Sequence, residues 1–540
     1  MAPPLRMAYA VPMLYKEQLA ALAFFTLSSA GQAADYKFGT QTITVPDGYR
    51  VELAAAPPLV DRPIMGDFDE HGRLFVAEAS GTNADVQTQL KERPHRILCL
   101  EDTDGDGTFD KRTEFADKMM FPAGVLCYRG SVYVSAPPSI WKLTDTTGDG
   151  IADRRDEWLD AKTLTGCAND LHGPYLGRDG WIYWCKGAFA EQTYPRSKGD
   201  PFVTRAAHIF RQRPEGSEIE PVMTGGMDNP VEVAFSPSGE RFFTSTFVQH
   251  PGGGLRDGIM HAIYGGVYGK PHDVIDGHPR TSAELMPVMT QLGNAAACAL
   301  EWIDSDALGM QGDLLATLFN MRKVTRHQLT PDHSTFHTQD SDFLVSDSID
   351  FHPTDVIEDA DGSLLVIDTG GWYKLCCPTS QLHKPDVLGA IYRVRKVADD
   401  RIASAAKMDP RGKEIDWTSS ENLMPLLGDE RVAVNERAID QLAQTGTADV
   451  IEALANVLTD ESGNESKRLS AVWALCRIDS PGARAVTRTI LQSSAFPVRA
   501  AALHAAAVWR DKEASAGIRE NLACPDAAVR RAAAEAAGRA

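Results

Sequence analysis

The sequence predicts an all-β, six-bladed β-propeller over residues 34–397, followed by an all-α solenoid of HEAT-like repeats over residues 398–540. Three observations predict it. A hairpin phrase recurs six times, two acidic loops of matched spacing lie within that array, and an arginine returns every 31 residues beyond it.

Each phrase is a turn bearing proline or glycine, an apolar strand, a glycine and a second strand, as in PIMGDFDEHGRLFVAE and NPVEVAFSPSGERFFTST. The turn glycines are Gly72, Gly130, Gly180, Gly239, Gly312 and Gly362, which lie 50 to 73 residues apart. That interval holds a four-stranded blade with inserted loops, and no long helical period fills it. Beyond residue 400 the texture changes to Ala, Leu and Arg at helical spacing. Arg437, Arg468, Arg499 and Arg530 each open an apolar helix. The chain ends at Ala540 inside the fourth such repeat, so a fragment of a longer protein is expected.

The acidic loops are EDTDGDGTFDKR and DTTGDGIADRRDE. In the first (102–113), Asp102, Asp104, Asp106 and Asp110 stand at positions 1, 3, 5 and 9 with glycine at 6, the ligand order of a calcium loop. The second (145–156) offers Asp145, Thr147, Asp149 and Asp153, with Asp156 at position 12. Short apolar runs flank both, so these are expected to be structural Ca2+ loops between strands rather than EF-hands.

The bulk composition bounds the function. Seventy-four acidic against 54 basic residues give a net charge of −20, which argues against a nucleic-acid or anionic-membrane partner and favours cation binding. The segment LAALAFFTLSSA (Leu19 to Ala30), with Lys16 before it and Gly31 and Ala33 after it, reads as a signal peptide over residues 1–33. The mature chain is then exported to the periplasm or the exterior, with no membrane span. Nine cysteines include the vicinal pair Cys376–Cys377, a candidate disulfide, but no C-x-x-C-H, so the chain attaches no c-type haem.

A propeller's chemistry usually sits where the innermost strands begin. Alignment on the glycines places Arg62-Pro63, Phe121-Pro122, His172-Gly173, Asn229-Pro230, Glu301-Trp302 and His352 to Asp355 in one ring. Two imidazoles, two carboxylates, an arginine and an amide suit acid–base work on a polyol or carbonyl compound. The helical tail, in contrast, is expected to offer binding surface to a partner and no chemistry.

The stretches NDLHGPYLGRDGWIYWCKG, MDNPVEVAFSPSGE, YGGVYGKPHD and DVIEDADGSLLVIDTGG resemble the blade signatures of soluble glucose/sorbosone dehydrogenases. More closely, the chain is similar to the membrane-bound dehydrogenase propellers of Planctomycetes, which add paired calcium loops, HEAT-like repeats and usually a cytochrome c domain. The resemblance implies a sugar or polyol substrate, pyrroloquinoline quinone as hydride acceptor, and electrons passed to a cytochrome c that this chain lacks. It implies His172 as general base, with Asp170 or Asp355 orienting it, and a cofactor cradle drawn from Arg62, Asn229, Glu301, His352 and Lys270. The sequence departs at Asp228, where the family has an arginine, and Arg62 or Lys270 would have to replace it. Two rivals stand beside this reading. One is a non-enzymatic platform for carbohydrate or protein; the other is a lactonase-type hydrolase whose channel carboxylates hold a metal.

Overall fold

The computed structural model describes residues 33–164, 171–250, 254–280, 283–373, 382–397, 409–460 and 462–540. Residues Ala33–Ala540 group into one compact unit. The expected export signal, Asp170 and the Cys376–Cys377 pair lie outside the described residues. Among the described residues no helix is long and apolar enough to cross a membrane.

Six sheets of four or more strands surround one axis. Their inner strands are Pro63–Phe68, Val125–Tyr128, Leu171–Leu176, Asn229–Phe235, Ala297–Trp302 and Pro353–Glu358, each touching the next until the last returns to the first. The second strands, such as Leu74–Glu78, Ile182–Lys186, Leu314–Leu318 and Leu364–Asp368, are buried at every position because a blade covers each face. Strand Tyr49–Ala55 forms the outer edge of the sixth blade, with Val51 opposite Val394, so the two ends of the propeller segment lock the ring. The hairpin Ala33–Phe38 and Gln41–Pro46 extends blade 5 through Ile43 opposite Ser346.

All six turn glycines have positive φ, from 69° to 89°, so the repeat phase read from the sequence is the phase of the blades. The inserted loop of blade 5 was not visible in it. Inner strand and glycine are nine residues apart in blade 3 (Leu171 to Gly180) but fifteen in blade 5 (Ala297 to Gly312). The ring position expected for Glu301-Trp302 therefore belongs to Ala297-Cys298, and Glu301 lies near the far end of its strand.

The helices form two layers. Val432–Thr445, Glu465–Ile478, Phe496–Trp509 and Ala527–Arg539 stack side by side, with Ala448–Thr459, Pro481–Ile490 and Ser515–Asn521 behind them. The periodic arginines brace this stack. Arg499 Nε donates to Ser493 O at 2.7 Å, Arg530 Nη1 to Cys524 O at 2.6 Å, and Arg468 Nη2 to Ser493 Oγ at 2.8 Å. Helices Glu465–Ile478 and Phe496–Trp509 are buried almost all round, the mark of a helix covered on both sides.

One side of that cover is the propeller. The Trp473 indole donates to Pro237 O at 2.8 Å and lies so close over Gly239 that a Cβ there would meet it at 2.8 Å. Arg477 covers Gly180 in the same way, at 2.7 Å. Both glycines are thus required twice, by φ and by contact. Ion pairs complete the seam, Asp179 with Arg211 (3.1 Å), Arg241 with Glu535 (3.0 Å) and Glu220 with Arg539 (2.8 Å), and Asp179 is also hydrogen-bonded to His504 (3.1 Å). Blades 3 and 4 and the helices share one hydrophobic core containing Tyr183, Phe243, Trp473 and Leu503.

A shared core predicts shared melting. Trp473→Ala should cost about 3–5 kcal/mol, and calorimetry should record one transition lowered as a whole. A propeller transition left in place while a separate helical one shifts would contradict the shared core.

Candidate functional site

The inner strands run from the open face of the ring toward the helical layer, so their first residues form a mouth and their last a floor. Register shifts interrupt five of them near the mouth, between Pro63 and Met65, His172 and Tyr175, Pro230 and Val233, Ala297 and Leu300, and Pro353 and Asp355. Such bulges re-aim the side chains that follow them. At the floor, Arg178 pairs with Asp304 of blade 5 and with Glu436 of the helical layer. The axial channel is therefore closed at that end.

A side chain on one blade bonds the main chain of the next at every junction. Asp355 Oδ2 accepts from Gly66 N (2.9 Å), Asp67 Oδ2 from Cys127 N (2.7 Å), and Glu301 Oε1 from Glu358 N (3.2 Å). Ser135 Oγ donates to Gly173 O (2.5 Å), Tyr175 Oη to Val231 O (2.8 Å), and Thr244 Oγ1 to Cys298 O (2.6 Å). Glu232 adds a bond from Leu300 N, while its Oε2 has no partner among the described residues.

The pKa values of these acids are raised, mainly by burial. Burial pushes Asp67 and Asp355 up to about 7. Burial, then the charge of Asp355, carries Glu232 well above the carboxylate range; burial, then Glu358, does the same for Glu301. The channel wall thus carries carboxyl groups shifted toward the neutral form, a lining that favours neutral ligands over anions.

The site residues expected from sequence distribute as follows. His172 is the second residue of its inner strand, half-buried at the mouth and opposite Cys185. Asn229 begins the inner strand of blade 4, its carbonyl accepting from Ser245 Oγ at 2.8 Å. His352 is buried, with Nδ1 donating to Gly370 O (2.8 Å), and burial lowers its pKa. Asp355 is also in the channel, on a different blade from His172. It is stitched to blade 1, and blade 6 faces blade 3 across the ring. Asp67, Tyr175 and Glu232 were not singled out from the sequence. Their signal was a polar residue at the fourth or fifth position of each strand, visible only after the strands are aligned on their starts.

The two acidic loops lie between strands, as expected, and both are built alike. Asp102 accepts from Gly105 N and Gly107 N (2.7 and 2.8 Å), and Asp145 from Gly148 N and Gly150 N (2.6 and 2.8 Å). Asp110 and Asp153 accept from the hydroxyls of Thr103 and Thr146, and Thr147 donates to Asp145. Carboxylate oxygens of Asp102, Asp104 and Asp106 lie within 4.8 Å of one another, which can hold a cation. Asp149 caps Ile151 N, whereas Asp156 lies on strand Arg154–Leu159 paired with Arg154, away from the loop, because the strand starts before position 12. Gly107 O accepts from Arg393 of blade 6, and Ala152 N donates to Phe115 O of blade 1, so each loop braces a blade junction on the face away from the mouth.

Two expectations do not fit the described residues. The channel acids make no three-ligand group, since each is tied to a neighbouring strand, so the lactonase-type metal reading has no centre there. Nor do the mouth's cations suit the tricarboxylate quinone. Arg62 donates to Pro385 O (2.6 Å), Lys270 is held by Asp228 (2.7 Å), and Arg256 by Asp257 (2.7 Å). Asp228 both removes the family's arginine and neutralises its substitute.

Comparison with known proteins adds a family and several likenesses. Residues 37–398 match the family described as a domain of unknown function, DUF7133. No curated protein matches the chain. Among solved structures, a Thermus thermophilus oxidoreductase described as a glucose dehydrogenase is similar at 19% identity, covering 64% of this chain and 100% of its own, with a TM-score of 0.44. The PQQ-bound aldose sugar dehydrogenase of Streptomyces coelicolor aligns at 14% identity over 65% and 100% of the two chains (TM-score 0.42), and a calcium-binding regucalcin of Agrobacterium tumefaciens at 13% over 64% and 93% (TM-score 0.36).

The raised acids of the channel have a pH signature. An acid whose pKa is raised by folding stabilises the fold fully below its unfolded value of about 4, and loses that contribution as pH rises through 7. With calcium held constant, stability should fall between pH 6 and pH 8.5 by about 1–2 kcal/mol for Asp355 alone. Thermal melts should show Asp355→Asn flattening that slope; an unchanged slope would place the titrating groups elsewhere.

Proposed function

The chain belongs to the DUF7133 family, and for this member we propose an exported, calcium-braced propeller that binds a sugar or polyol at a single-mouthed channel and oxidises it in the manner of a dehydrogenase. The observation that carries the reading is the channel itself: closed at one end by the helical layer, lined by acids whose pKa burial raises, and bearing His172 at its open end. A hydroxyl bound beside His172 gives its proton to the imidazole. The hydride on the same carbon leaves to a diffusible two-electron acceptor, and the C–O bond becomes a carbonyl. The acceptor arrives as a second substrate and passes its electrons to a separate cytochrome. Calcium in the two loops stiffens blade junctions and takes no part in the chemistry.

One observation favours a second reading. Because the mouth's cations are already paired with acids or carbonyls, the same channel serves equally as a binding platform without turnover.

A dye-reduction screen over sugars and polyols with calcium present separates the two. The dehydrogenase reading expects turnover that His172→Gln lowers by about 10²–10⁴-fold with the melting temperature unchanged. Sugar binding by calorimetry without dye reduction leaves the platform reading. Chelation should lower the melting temperature, and Asp104→Ala combined with Asp149→Ala should reproduce that shift; an unmoved curve would refute the calcium sites.

A further inference from the structure

Phe189 has φ 84°, a region that glycine occupies freely and bulky side chains avoid. Among the described residues, the other non-glycine positions with positive φ lie between 46° and 58°. Strain of this kind persists only where the surroundings impose it, and it concentrates at ligand sites.

Its position is the mouth. Phe189 follows the second strand of blade 3 (Ile182–Lys186), whose Lys186 is paired with Leu171 beside His172. The backbone is pinned on both sides: Ala188 N donates to Asp228 O (2.7 Å) and Phe189 N to Arg205 O (2.8 Å). Asp228 precedes the inner strand of blade 4 and holds Lys270. The ring therefore stands at the junction of blades 3 and 4, on the rim of the channel.

Blade 4 carries a counterpart that shows what an internally satisfied aromatic looks like. Phe247 also has positive φ (53°) and also follows a second strand, but Arg256 and Lys270 lie over its ring at 4.9 and 5.4 Å. Among the described residues, the ring contact of Phe189 is an edge contact with His272, at 5.3 Å between centroids, and Phe189 remains 42% exposed. The strained ring thus leaves a large part of its surface open.

We propose that Phe189 is the stacking platform of the substrate subsite, taking the apolar C–H face of a pyranose ring, with His272 and the Asp228–Lys270 pair at the sugar's polar edge. This rests on the reading of the mouth as a sugar site and names the ring form as what it selects. An acyclic polyol has no flat face to offer.

The test uses the full chain with calcium and compares Phe189→Gly, Phe189→Tyr and wild type on D-glucose, methyl glucopyranoside and sorbitol, by calorimetric binding and by dye reduction. Phe189→Gly should melt at or above the wild-type temperature, because glycine relieves the φ. It should weaken glucose and the glucoside about tenfold or more, leave sorbitol within twofold, and so erase the preference for the ring; Phe189→Tyr should stay near wild type. A fall in melting temperature with unchanged affinity, or equal weakening of all three ligands, overturns the stacking role. If wild type binds none of them, the sugar reading fails and takes the subsite with it. If Phe189→Gly binds normally while His172→Gln abolishes turnover, the subsite alone fails.

Discussion

The helical layer pressed onto the turn face of the propeller removes one end of the axial channel, and the rest of the site follows from that closure. It is possible because the turns beneath it carry no side chain at their tips, so Trp473 and Arg477 pack directly on the backbone of Gly239 and Gly180. Arg178, Arg211 and Arg241 each lose water at the seam and each find a carboxylate there. Breaking one partner of such buried pairs leaves an uncompensated charge, which makes the seam costly to open. The opposite face is thereby left as the open end of the ring.

Closure also gives the channel its unusual chemistry. With one end shut, Asp67, Glu232, Glu301 and Asp355 face a poorly hydrated space, and protonation relieves both desolvation and mutual repulsion. The same carboxyl groups serve as ties between blades by accepting main-chain N–H bonds. Lining and scaffold are one set of residues. The strained ring of Phe189 stands beside that scaffold at the junction of blades 3 and 4.

Much of the fold was legible in the sequence because its signals were local. The six glycines mark turns whose φ only glycine adopts freely, and the 31-residue arginines mark helices whose preceding turns they bond. What escaped the reading was long-range or irregular. The sixth blade is completed by Tyr49–Ala55, some 340 residues upstream of its partner. Blade 5 lengthens its turn and so shifts Glu301 out of the mouth, and Asp355 faces His172 across the ring rather than beside it. In the second calcium loop, Asp156 is carried off by the strand that follows. Nothing in the letters around Phe189 distinguishes a glycine-like φ from an ordinary one.

The central claim is that ligand enters at the mouth and nowhere else, and hydrogen–deuterium exchange with saturating D-glucose tests it most directly. The account predicts slowed exchange in Leu171–Leu176, in residues 186–190 and in Asn229–Phe235, with helices Val432–Thr445 and Glu465–Ile478 unchanged. Slowing confined to the helical layer, or none at the mouth, would contradict it.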